Sequence, residues 1–104
     1  MSSDEQDEAI IRLVKQRFEA KKRKALLENE LRTAGRALWE IGSALKSVNA
    51  SGSFQEDPER ALAEIEKAPK ICELDRIKAM LIELRETEKL IAQLNQSAAQ
   101  LGID

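Results

Sequence analysis

Apolar residues recur through the first half of the chain at alternating spacings of three and four: Ile10, Leu13, Ala20, Leu27, Leu31, Ala34, Leu38, Ile41, Leu45 and Val48. Spacing of that kind puts every member on one stripe of an α-helix. Only Arg17 and Lys24 interrupt the series, and no proline falls within it. Glu8 with Arg12, Glu19 with Arg23 and Glu28 with Arg32 add favourable pairs one turn apart. Ser2 and Ser3 precede Glu5 and Gln6 by three residues, a capping-box spacing. The pattern predicts one helix over about residues 4–48.

Asn49-Ala50-Ser51-Gly52-Ser53 is a turn-rich cluster near the middle of the chain, so the backbone is expected to reverse over about residues 49–57. Asp57-Pro58 has the form of an N-cap followed by proline at the first helical position, and Ala61, Leu62 and Ile65 follow it. A short helix over about 58–67 results, which Pro69 ends or kinks. Beyond it Ile77, Met80, Leu84, Thr87, Ile91, Leu94, Ala98 and Leu101 keep a heptad spacing, predicting a helix over about 70–101.

The two arms have matching lengths, and folding back at the central turn pairs positions whose numbers add to about 106. Arg17 to Arg23 then face Glu83 to Lys89. The predicted fold is all-α, a single domain over 1–104 built as an antiparallel long-helix hairpin with a short helix between the arms. Ile11, Val14, Phe18 and Ala25 flank the first stripe, and Ile71, Leu74, Leu81 and Leu90 flank the second. Stripes that wide face more than one neighbour, so two hairpins are expected to associate as a homodimeric four-helix bundle or coiled coil.

Composition narrows the function classes. The chain has no histidine and no tyrosine, which removes the commonest general base and zinc ligand and the phenolic acid. Its one cysteine, Cys72, cannot form an intrachain disulfide and reads as a small buried hydrophobe. The acidic start and the lack of a long apolar run predict neither secretion nor a membrane partner, leaving the cytoplasm as the expected location. No catalytic residue, metal site or cofactor site is expected, since phosphate loops and dinucleotide fingerprints are absent.

Two features remain as candidate sites. Nine cations between Arg12 and Arg36 outnumber Glu19, Glu28 and Glu30 by six in a chain whose net charge is −2. Within them Arg17, Lys21 and Lys24 share a helical face that could bind an anion such as nucleic-acid phosphate; a solvated face paired with acids of the returning arm is the plainer reading. The second is Gly35, Trp39 and Gly42, which share a face apart from the main stripe. Two glycines inside a helix cost about 1 kcal/mol each relative to alanine, so another helix is expected to approach closely there. The short helix, through Leu62 and Ile65, is the expected cover; an uncovered Trp39 would instead anchor a partner.

The order of long helix, loop, short helix and third helix is similar to that of the all-α chorismate mutases. Arg36 and Lys46, then Asp57-Pro58-Glu59-Arg60, and Gln93 or Gln96 are the positions that can be laid against that family, with Ala61 where its short-helix glutamate is expected. The resemblance implies an enzyme that clamps a small dicarboxylate with cations of the first helix. The residues themselves favour a non-enzymatic helical interaction or oligomerisation module, a scaffold or adaptor. Its expected partner is a second copy, then another protein helix, with nucleic acid behind both.

Overall fold

The computed structural model describes residues 3–48 and 58–103. The fold is an all-α hairpin of long, short and long helices: α1 is Ser3–Val48, α2 is Pro58–Lys67 and α3 is Leu74–Gln100, with a 3-10 turn at Lys70–Cys72. No strand occurs among the described residues. The turn expected at 49–57, with the Asp57 cap, lies outside them.

The chain divides into two compact units, residues 1–28 with 80–104 and residues 29–79. In the first unit α1 and α3 run antiparallel. Leu13 and Ala20 of α1 pack with Leu94 and Ala98 of α3, and Ile91, Leu101 and Ile103 lie against that cluster. Leu27 is fully buried, and Met80 and Thr87 are buried on the α3 side. The heptad spacing of α3 is the contact stripe here. Arg23 grips Glu83 across the pair, with Nε and Nη2 each donating to a carboxylate oxygen at 2.7 Å. Their numbers add to 106.

The end of α3 is closed by a Schellman motif. Gly102 takes φ +76°, the left-handed region that a side chain resists. The turn lets Gly102 N–H donate to Ala99 O at 3.1 Å and Ile103 N–H donate to Ala98 O at 2.8 Å. Ile103 then folds back onto the apolar cluster.

In the second unit the buried residues are small. Ala34, Ala44, Ala61 and Cys72 are buried, and the Cys72 thiol lies 3.7 Å from Ala34 O as a weak donor. These numbers also add to 106. The α1 contact stripe departs from the expected one. Leu38 and Leu45 are exposed, while Ala37 is half-buried and Ala44 buried, so the stripe steps through 31, 34, 37, 41, 44 and 48. Two successive steps of three break the heptad and rotate the contact face around the helix. Ala37 faces a groove shared with Glu64, Lys67, Ala68 and Pro69, so the alanine side of α1 meets the α2 end. Alanine there admits a closer backbone than leucine would.

The third helix starts at Leu74, four residues later than the spacing suggests. Pro69 is extended at φ −67°, ψ 154°, and the following bonds, Cys72 N–H to Pro69 O and Glu73 N–H to Lys70 O, are three-residue turns. Glu73 is again extended at ψ 133°, and the α-helical ladder begins only when Ile77 N–H donates to Glu73 O.

Two substitutions test this packing. Ala34→Leu adds volume to a position 1% exposed and is expected to lower unfolding stability by about 1–3 kcal/mol. Gly102→Ala, forced into a positive φ, is expected to cost about 1 kcal/mol, seen as a fall in Tm of roughly 4–8 °C for a domain of this size.

Candidate interaction surface

The tight stripes leave the large apolar side chains outside. In the first unit Ile11, Val14 and Phe18 occupy successive turns of α1 and are 67%, 50% and 64% exposed. Val14 and Phe18 line a groove of about 350 Å³ with Arg17, Lys21 and Ile103. A second groove of about 450 Å³ on the other flank is lined by Lys15, Gln16, Glu19, Ala20, Leu90 and Leu94.

In the second unit Trp39 is 68% exposed. A Cβ built on Gly35 or Gly42 would meet nothing within 4 Å, so among the described residues no helix approaches either glycine. The expectation that α2 covers this face is not met, and Leu62 and Ile65 are themselves half exposed. Rotation of the contact stripe supplies the reason. At 100° per residue the stripe 37, 41, 44 and 48 lies roughly 160° from the face holding Gly35, Trp39, Gly42 and Lys46. A groove of about 240 Å³ on that face is lined by Trp39, Gly42, Ser43 and Lys46.

The three anion-site candidates serve different surroundings. Arg17 and Lys24 are half-buried at the seam positions that interrupt the apolar series, and of the three only Lys21 is exposed. The Nε atom of Arg17 is shielded from solvent. Arg23, from the same cationic stretch, is committed to Glu83. That bidentate hydrogen bond, with the guanidinium charge behind it, holds the Glu83 carboxyl below its ordinary value despite some opposing desolvation.

Among the positions laid against the chorismate mutases, Arg36 and Lys46 line different grooves of the second unit. Arg36 lines a groove of about 500 Å³ with Thr33, Ala37, Glu40, Glu64, Lys67, Ala68 and Pro69, where Glu64 and Lys67 pair at 2.9 Å. Arg17 lines a different groove, and Lys46 lies beside Trp39. Glu59, Arg60, Gln93 and Gln96 are exposed, and Asp57 lies outside the described residues. No group of three or more Cys, Asp or Glu among the described residues could hold a metal ion. No helix among them is long and apolar enough to cross a membrane.

The exposed Leu38 and Leu45 are the surface residues that the spacing assigned to the interior. The adjacent alanines, 37 and 44, are the signal that a second stripe was available there. No protein family, curated protein or solved structure matches the chain.

Because the folded Glu83 is the stronger acid, the ion pair stabilises above its unfolded value near 4.5 and is lost as pH falls through the folded value. The stability gap between the wild type and Glu83→Gln, measured by urea unfolding, is therefore expected at pH 7 and should close below about pH 4.5. High salt should shrink it as well, since both side chains are near half exposed.

Proposed function

We propose that this chain is a non-enzymatic helical module for protein–protein interaction and oligomerisation, with a second copy of itself as the first partner. One contrast carries the reading. The buried apolar residues include Ala20, Ala34, Ala44, Ala61, Ala98 and Cys72, while Ile11, Phe18, Trp39, Leu62, Ile65 and Leu74 are at least half exposed. Full burial of one such large side chain is worth about 1.5–3 kcal/mol, so association that covers several of them offers further apolar stabilisation. Exposed apolar faces of this kind mark interaction surfaces.

Trp39 beside Gly35 and Gly42 is the natural place for a different protein helix to dock, giving the scaffold or adaptor reading a second surface. The single free and buried Cys72 supports a reducing, cytoplasmic setting.

Sedimentation equilibrium from about 1 to 200 µM, a span chosen to bracket weak interfaces of modest size, tests the reading directly. The expected result is a mass rising from 11.7 kDa toward its double. A folded monomer throughout would remove self-association as the function.

A further inference from the structure

The outer face of α1 in the first unit carries a second series, offset by one residue from the buried stripe. It runs Asp4, Asp7, Ile11, Val14, Phe18, Lys21 and Ala25, with Glu8 and Lys22 on its edge. The steps again alternate between three and four, so these residues form one continuous stripe. All of them are exposed. The series is ordered by polarity: acidic over the first turns, apolar through the middle, basic at the far end.

A surface ordered in this way is complementary to itself when reversed. We propose that two copies pair through this face, α1 against α1 and antiparallel, about a twofold axis passing between Val14 and Lys15. In that register facing positions have numbers adding to 29. Asp7 meets the partner's Lys22, Glu8 meets the partner's Lys21, and Ile11 meets the partner's Phe18; symmetry repeats each pair. The Val14 side chains meet near the axis, and the groove formed by Val14, Phe18 and Ile103 receives the partner's Ile11. This inference rests on the self-association reading above and adds the face, the orientation and the register.

Charge selects the occupant. Parallel pairing would set Asp7 on Asp7 and Lys21 on Lys21, with like charges opposed at both ends. An acidic partner helix would satisfy Lys21 and Lys22 but face Asp4, Asp7 and Glu8 with its own sign. An anionic membrane would meet the same acids. A reversed second copy matches all three zones, and the interface is isologous as a closed dimer requires.

The test uses the full chain in sedimentation equilibrium at low ionic strength, with helix content followed by circular dichroism. Asp7→Lys alone and Lys22→Asp alone are each expected to raise the dimer Kd by about tenfold or more, because each places two like-charge contacts across the axis. The exchange variant carrying both substitutions restores opposite charges in the same register. Its Kd is expected within about threefold of the wild type. Rescue there separates interface repulsion from any loss of helix stability at Asp7, which the exchange variant shares. Phe18→Glu should abolish the dimer without loss of helix content.

A dimer indifferent to all four variants overturns the proposed face while leaving self-association standing, with Trp39 as the next anchor to substitute. Failure of the exchange variant to recover overturns the antiparallel register. A wild type that stays monomeric overturns both this inference and the reading on which it rests. So does a monomer that binds an acidic model peptide helix or phosphatidylserine vesicles through Phe18, which would assign the face to that partner.

Discussion

Alanine at five of the ten buried apolar positions among the described residues is the constraint on which the rest of this molecule depends. Ala20 and Ala98 occupy the buried stripes of the first unit, and Ala34, Ala44 and Ala61 those of the second. A methyl side chain lets backbones come near and loses almost no rotamer entropy on burial. It also hides little area from water. Beside the alanines, Leu13, Leu27, Met80 and Leu94 fill the seam of the first unit, while Phe18, Trp39, Leu62, Ile65 and Leu74 stand outside the buried stripes and leave their apolar area on the surface.

The α3 stripe was legible at every position because one neighbour determines it: Ile77, Met80, Leu84, Thr87, Ile91, Leu94, Ala98 and Leu101 are all buried or half-buried. The register was legible too. A turn near the middle and two arms of matching length fix which residues face one another, and Arg23 with Glu83 falls on that sum. The later part of α1 was not legible for a specific reason. Leu38 and Leu45 continue a heptad, but Ala37 and Ala44 offer a second stripe one residue away, and periodicity counts leucine more heavily than alanine. Which stripe faces inward depends on how near the neighbouring backbone comes, a property of the tertiary contact. The expected cover over Trp39 failed with it, since turning the alanines inward turns the indole out. The late start of α3 has a local origin, in the extended backbone at Pro69 and Glu73, which a helix-spacing argument does not register.

Charge was legible as a total, and the pairing of Arg23 with Glu83 follows the plainer reading of the cationic run, a face matched by acids of the returning arm. The cationic run of α1 suggests a line of phosphate-binding groups, and four of its central members divide among three settings. Arg17 and Lys24 sit half-buried at the seam positions. Arg23 is spent on Glu83, and Lys21 lies beside Phe18 and Ile103. Cations placed in that way define register and orientation more than they concentrate potential.

A helix with two stripes offset by one residue presents contact faces about 100° apart. That is the angle a helix needs at the corner of a four-helix bundle, where it must touch two neighbours at once. In α1 the inner stripe is built of leucine and alanine and is satisfied within the chain; the outer one is built of isoleucine, valine and phenylalanine between opposite charges. On the proposed pairing of two copies, the difference in composition follows from the difference in task. An intrachain seam is held in register by the connection between its arms, so small residues suffice. An interface between separate copies has no such tether and must supply both affinity and register from its own side chains, which is what large apolar groups bracketed by charges of opposite sign provide.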